Sequence, residues 1–350
     1  MKYIGVDLHN NFSQVFSLDK ETGETIEKRV PNEFSDMCNF FSPLAGNCKV
    51  AVEATRNWYW FVDLLQSMNI DVVLSNPVQT KAISYARVKN DKVDAKMLSN
   101  LLENDLLPES YIPNREERKV REMLRMRMRM VKNRTMMKNI VRSSLAKLNI
   151  KLEHGDIWNG EGREELESLN LESPYQEIID QSLEMIDITT NYISTWEKKL
   201  QEAIKDNKEV IDSCKLLGTH PGIGTLSALT ILYESGPVTR FRSADIYTAY
   251  AGLVPKTKGS ADKYRSGHLS KQANMYLKWI YVETAIHTMR MWKSPLRDFY
   301  QKKMWHRGKP IARIALARKI AVDAYYILKD RINYTTFLER GTKKEGRTSL

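Results

Sequence analysis

Two hydrophobic periods follow one another along this chain, and the change between them divides it. Residues 3–9 and 12–18 run apolar or alternate with a period of two, and residues 24–30 can supply a third such segment, which predicts three successive strands. A short helix is expected near 33–41, then a strand through Val50-Ala51-Val52 that ends at Glu53. Residues 58–65 read as a buried helix, and Ile70-Asp71-Val72-Val73-Leu74 as a further strand, stopped by Asn76-Pro77. Helical patterns then cover 78–87 and 92–105.

From residue 115 the helical period takes over. Residues 115–148 form one long helical candidate: Arg125-Met126-Arg127-Met128-Arg129-Met130 alternates like a strand, but the length and the good helix formers on both sides favour helix. Its methionines make an adaptable packing stripe. A second helix is expected over 175–206, where Ile179, Ile186, Ile193 and Leu200 recur every seven residues with Leu183 and Ile204 beside them, a coiled-coil-like seam. The two would form an antiparallel hairpin joined through the glycine-bearing loop region 152–174. After Asp212, Pro221-Gly222-Ile223-Gly224 and the apolar stretch 226–233 fit either a helix-hairpin-helix aimed at a phosphate or a plain tight turn. From Glu339 on the chain reads as a basic tail. The expected division is 1–110, a helical linker over 111–210, a mainly α-helical C-terminal domain over 211–335, and a tail over 336–350.

The order β-β-β-α-β-α-β-α is that of a ribonuclease-H-like α/β domain, in which the first strand lies mid-sheet beside the fourth. That order changes the meaning of four acids. Asp7 lies in the first strand and Glu53 ends the fourth, so the two would be spatial neighbours. Asp91 and Asp94, three apart at a helix start, share one face. Carboxylates at the ends of buried strands are costly unless a cation compensates them. Hard oxygen ligands suit Mg²⁺, or Mn²⁺, and phosphoryl transfer.

The chain has 350 residues, a formal net charge of +11 and a pI near 9.3, which favours a polyanionic partner such as DNA or RNA. The charge is concentrated: residues 115–151 hold thirteen Lys or Arg against three Glu, a net of +10. Arg125, Arg127, Arg129, Lys132 and Arg134 are the candidate phosphate contacts on that helix. Cys38, Cys48 and Cys214 have no metal-ligand spacing and read as reduced thiols. No apolar run approaches the roughly 20 residues needed to span a bilayer, so no membrane partner is expected. The expected location is the cytoplasm, on the nucleoid when DNA is bound.

Joint order and spacing of short tags then point to a family. Ile4-Gly5-Val6-Asp7, Val52-Glu53-Ala54-Thr55, Asn76-Pro77 and Lys89-Asn90-Asp91-Lys92-Val93-Asp94-Ala95 are followed by Pro221-Gly222-Ile223-Gly224, Phe241-Arg242-Ser243 and Tyr250-Ala251-Gly252-Leu253-Val254-Pro255. Ser260 and Leu269-Ser270-Lys271-Gln272-Ala273-Asn274 complete the set. Across nearly its whole length the chain resembles the Asp-Glu-Asp-Asp transposases of insertion-sequence family 110, the bridge-RNA-guided serine recombinases. The resemblance implies a RuvC-like N-terminal domain in which Asp7, Glu53, Asp91 and Asp94 are the metal ligands, and a C-terminal domain carrying a nucleophilic serine. The spacing from Pro255 assigns that serine to Ser260. Ala261 follows it where the family usually has glycine, and Ser266-Gly267 keeps the dipeptide as an alternative.

The resemblance also implies donor and target DNA as substrates, a structured guide RNA, a homo-oligomer (dimer or tetramer) and a catalytic site completed across protomers. Lys256, Lys258, Lys263, Arg265 and Lys271 surround Ser260 and would bind nucleic acid; the aromatic and basic segment from Trp292 and Lys293 to Arg307 could clamp it or simply pack. Two other readings stay open. A junction-resolving nuclease would use the acids to activate water and leave Ser260 idle, and a binding scaffold would not cut.

Overall fold

The strand that begins the chain becomes the middle of a sheet. The computed structural model describes residues 1–83, 90–260, 263–270, 272–291 and 294–345, which divide into two units, Met1–Arg115 and Glu116–Leu350. In the first unit β1 (Lys2–Leu8), β2 (Phe12–Asp19) and β3 (Thr25–Pro31) form an antiparallel meander. After α1 (Phe34–Phe41), β4 (Cys48–Glu53) returns to lie parallel to β1. Then come α2 (Trp58–Ser67), β5 (Asp71–Ser75) parallel to β4, α3 (Pro77–Ile83) and α4 (Asp91–Glu103). The strand order is β3-β2-β1-β4-β5-β6, so the first strand does lie beside the fourth. The expected helix over 78–87 is described as far as Ile83. The sixth strand, β6 (Glu109–Ser110), pairs antiparallel with β5 and was not expected, because two residues carry no period to read.

Alternation along the strands builds a core on each face. Ile4, Val6, Val50 and Val52 pack with Met37, Phe41, Phe61 and Leu65 of α1 and α2. Ala51 and Val73 point the other way, to Leu98 and Leu102 of α4. The acids at the carboxyl ends of β1 and β4 belong to this second, α4-covered face.

The second unit begins with α5 (Arg115–Lys147), α6 (Gly160–Glu167) and α7 (Tyr175–Ile204). Ile179, Ile186, Ile193 and Leu200, the residues of the heptad seam, are all buried. Val141 and Leu145 near the end of α5 meet Ile179, Leu183 and Ile186 near the start of α7. Val120 and Leu124 meet Leu200 and Ile204 at the other end, which makes the pair antiparallel. The C-terminal part runs α8 (Lys208–Gly218), α9 (Thr225–Ser235), α10 (Ala244–Tyr250), a β7–β8 hairpin (Pro255–Ser260 and Lys263–Leu269), α11 (Met275–Thr288), α12 (Pro295–Arg307), α13 (Lys309–Asp330) and α14 (Tyr334–Glu345). Its core surrounds the apolar face of α13, with Tyr247, Tyr281 and Tyr325 fully buried and satisfied by mutual and backbone hydrogen bonds.

One local expectation is corrected. Where a tail was expected from 336, α14 continues to Glu345, because Phe337 stacks with Tyr326 and Tyr334 at ring distances of 6.1 and 6.4 Å. The Pro221–Gly224 turn is seated on α11: Gly222 has φ +89°, and a Cβ on it would lie 2.2 Å from Thr288 Oγ1, so glycine is required there for packing. All three cysteines are free thiols. Among the described residues no helix is long and apolar enough to cross a membrane.

Candidate functional site

The register of two parallel strands sets the first two acids at neighbouring strand ends. Val6 lies opposite Val52 as the last pair of this ladder, and Asp7 and Glu53 follow them at the carboxyl ends of β1 and β4. On the same face, α4 starts with Asn90, whose side chain accepts a hydrogen bond from the Lys92 amide at 3.2 Å and so caps the helix. Asp91 and Asp94 occupy its first turn, where the positive end of the helix dipole favours carboxylates. The helix can lie this close because Gly5 has no side chain: a Cβ there would sit 1.9 Å from the Ala95 carbonyl oxygen. Ser99 of α4 further donates to the Tyr3 carbonyl at 2.8 Å.

Among the described residues, the side chains whose ligand atoms lie within 4.8 Å of one another are Asp7, His9 and Asp91. Glu53 and Asp94 lie outside that group. Asp94 is still close enough for its charge to act on Asp7. His9 was not expected from the sequence: it follows the end of β1, two residues after Asp7, and a lone histidine there gives no signal until Asp91 is placed beside it. Its Nε2 lies 3.2 Å from Asp7 Oδ2 and 3.2 Å from Asp91 Oδ2. That nitrogen is enclosed yet aligned with neither oxygen as a hydrogen bond. Its backbone is held firmly: Asn32 and Asn57 each donate Nδ2 to the His9 carbonyl at 2.8 Å.

Burial pushes the Asp7 carboxyl above its ordinary value; His9 opposes that shift, and the charges of Asp91 and Asp94 reinforce it. Two carboxylates and the imidazole nitrogen between them thus face one point, where burial and the charges of Asp91 and Asp94 oppose ionisation of Asp7 and His9 offsets part of that. The donor set fits a divalent cation: oxygen ligands suit Mg²⁺ or Mn²⁺, and imidazole suits the latter. Beside Asp91 a cavity of about 310 Å³ is walled by Gln14, Lys28, Arg29 and Asn90 among others. Arg29 there covers the Phe12 ring at 3.4 Å from its centroid.

The basic residues of α5 are not equivalent. Arg125 makes a two-pronged ion pair with Glu234, and Arg127 pairs with Glu197 at 2.7 Å. Arg134 donates to Thr190 Oγ1 at 3.3 Å. Arg129 and Lys132 are exposed. The expected basic face is thus partly turned to neighbouring helices, a pairing that a charge run cannot reveal because the partner acids lie on α7 and α9.

Ser260 ends β7, and its backbone pairs with Lys263 across the hairpin. The side chains of Lys256, Lys258, Ser260, Lys263, Arg265 and Ser266, together with residues 261, 262, 271, 292 and 293, lie outside the described set. Those expectations include Lys271, Trp292 and Lys293.

Comparison with known proteins adds to this geometry. A family model described as a transposase, of the Asp-Glu-Asp-Asp group of IS110, matches residues 4–150, and one described as transposase IS116/IS110/IS902 family matches residues 214–301. A probable family 20 transposase of Pseudomonas aeruginosa is 26% identical over 347 residues, covering 95% of this chain and 98% of the relative. The transposase for insertion sequence element IS1111A of Coxiella burnetii is 24% identical over 348 residues, covering 95% and 91%. A putative transposase of Sinorhizobium fredii, y4pF/y4sB, is 23% identical over 335 residues, covering 95% and 85%.

Proposed function

Since the chain belongs to the IS110 family of transposases and is a DNA transposase or recombinase, we propose that it cuts and rejoins DNA through a covalent phosphodiester on Ser260. In this reading the N-terminal unit is a RuvC-like domain whose Asp7, Glu53, Asp91 and Asp94 hold Mg²⁺ or Mn²⁺, with His9 as a nitrogen neighbour. Bound there, the cation would polarise the scissile phosphate and stabilise charge on the leaving oxygen. The Ser260 hydroxyl gives up its proton as Oγ attacks phosphorus, the bond from phosphorus to the 3′ oxygen breaks, and that oxygen takes up a proton. A 5′-phosphoserine link results, and attack by an incoming 3′ hydroxyl reverses the step. The phosphodiester is conserved, so strand exchange needs no ATP.

The observation that carries this reading is the convergence of Asp7, His9 and Asp91 at the end of the central strand, on the face where Glu53 and Asp94 also stand. Carboxylates gathered on a basic chain suit phosphodiester chemistry more than structural packing. The exposed Arg129 and Lys132, with the lysines and arginine around Ser260, would hold DNA and a structured guide RNA, and the active species would be a homo-oligomer. Such an enzyme would work in the cytoplasm, on the nucleoid. Incubation with cognate DNA, guide RNA and Mg²⁺ tests the proposal. An SDS-resistant, protease-sensitive DNA–protein adduct is expected; cut 5′-phosphate ends without an adduct would make the protein a hydrolytic nuclease.

A further inference from the structure

Glu234 is a carboxylate with no exposed surface, placed near the end of α9. A buried charge persists only when every lone pair is used. Here Arg125 of α5 brings Nε to Oε1 at 2.7 Å and Nη2 to Oε2 at 2.9 Å, a fork-to-fork pair. Asn274 donates Nδ2 to Oε2 at 2.8 Å. The Arg125 guanidinium also lies 4.7 Å from the Tyr276 ring centroid.

The other contacts of this cluster fall at the two ends of one segment. Tyr250 closes α10 and Asn274 precedes α11; between them runs the β7–β8 hairpin that carries Ser260. The Tyr250 hydroxyl donates to the Glu234 carbonyl at 3.3 Å, and the Asn274 amide donates to the Tyr250 carbonyl at 2.9 Å. Asn274 Oδ1 in turn caps α11, accepting from the amides of Tyr276 and Leu277 at 3.1 and 3.0 Å. Gly252, at φ +69°, closes the foot: a Cβ on it would lie 2.7 Å from Ala273 Cβ. A buried ion pair gains little stability over apolar packing, but its two-pronged geometry admits one arrangement.

We propose that the Glu234–Arg125 pair, with Asn274 and Tyr250, is a positioning clamp that fixes the foot of the Ser260 hairpin against α5, so that Arg125 serves hairpin placement and not phosphate contact. Its importance for chemistry rests on the reading of Ser260 as nucleophile. The clamp itself is a statement about the hairpin and can be tested without substrate.

The test compares full-length wild type with Glu234→Gln and Arg125→Lys. Glu234→Gln sets an amide N–H₂ against the donors of Arg125 and Asn274. Arg125→Lys keeps the charge and loses the fork, and at 21% exposure it is the milder change should the buried variant misfold. Hydrogen–deuterium exchange of peptides spanning residues 254–270 should accelerate about tenfold or more in each folded variant, while α13 keeps its protection. The rate of adduct formation should fall with it, and the salt slope of nucleic-acid binding should stay that of wild type. Wild-type exchange across 254–270 in folded Arg125→Lys overturns the clamp, whatever Ser260 does. Faster exchange, in a protein whose adduct does not require Ser260, leaves the clamp standing and removes only the nucleophile assignment.

Discussion

Gly5 in β1 and Ala95 in α4 touch backbone to backbone. A Cβ on Gly5 would come within 1.9 Å of the Ala95 carbonyl oxygen and 2.6 Å of the Ser99 amide nitrogen. This close helix–strand contact lets the first turn of α4, with Asp91 and Asp94, approach the end of the strand that carries Asp7. Neither neighbour can give way cheaply, because both are backbone.

Gly5→Ala should therefore push α4 off the sheet. The expected cost is about 1–3 kcal/mol of stability, the usual range for overpacking, measured by denaturant unfolding. Divalent-cation affinity should fall as well, because the helix carries two of the acids away. Wild-type stability together with wild-type cation binding would show that the spacing between α4 and β1 does not set the site.

Asp7 should give the site a distinctive pH dependence. Its carboxyl is raised from the ordinary 3.8, so between that value and the raised one the folded state holds a proton that the unfolded state has lost. The Asp7 contribution to stability thus falls as pH rises through that window, and the ionised group is unfavourable above it in the absence of a cation. Asp7→Asn should raise the melting temperature of the cation-free protein near neutral pH, while abolishing the extra stabilisation that Mn²⁺ gives wild type. A lower melting temperature in the cation-free variant would contradict this.

His9 should tune which ion binds. An imidazole nitrogen adds more for Mn²⁺ than for Mg²⁺, so His9→Asn should weaken Mn²⁺ binding by on the order of tenfold and Mg²⁺ binding less. Paramagnetic resonance of free Mn²⁺, with Mg²⁺ as competitor, reads both. Equal losses for the two ions would take His9 out of the ligand set and leave it to pack on the Phe12 ring, whose centroid lies 4.7 Å from its own.

The acids and the histidine show what the sequence made legible. Asp7 and Glu53 end apolar runs, and strand order alone put those runs side by side, as the Val6–Val52 register bears out. His9 was hidden because one histidine makes no pattern; it gains meaning only from Asp91, which is brought over by the close contact at Gly5. Arg125 was hidden for the opposite reason. Its surroundings in sequence are a charge run, and its partner Glu234 lies 109 residues away on another helix. Period and composition report faces, and they do not report which acid a given arginine meets. The length of α14 was missed because Phe337, which packs it, stands just before the basic run that suggested a tail.

That difference among the arginines predicts a split in salt dependence. Replacing the exposed Arg129 and Lys132 together should flatten the log–log slope of nucleic-acid binding by up to about 2 units, if each neutralises one phosphate. Replacing Arg127, which is paired with Glu197, should leave the slope close to wild type and act on stability instead. Equal slope changes from both sets would mean that the Glu197 pair opens when nucleic acid binds.

Ser260 ends β7 and Ser266 lies across the hairpin opposite Thr257, so the two serines can be separated by experiment. Ser260→Ala should abolish the covalent adduct and strand exchange while nucleic-acid binding and its salt slope persist, because only the attacking oxygen is removed. Ser260→Cys should retain slow adduct formation, since a thiolate is nucleophilic but a poorer match to a site of oxygen ligands. Ser266→Ala should behave as wild type. The spacing from Pro255 and the Ser-Gly dipeptide then make opposite forecasts for one gel. An adduct that persists in Ser260→Ala and disappears in Ser266→Ala would move the nucleophile to β8. An adduct lost in both would point to a hairpin whose two strands must both be intact, and unfolding measurements on each variant would tell that apart from loss of the nucleophile.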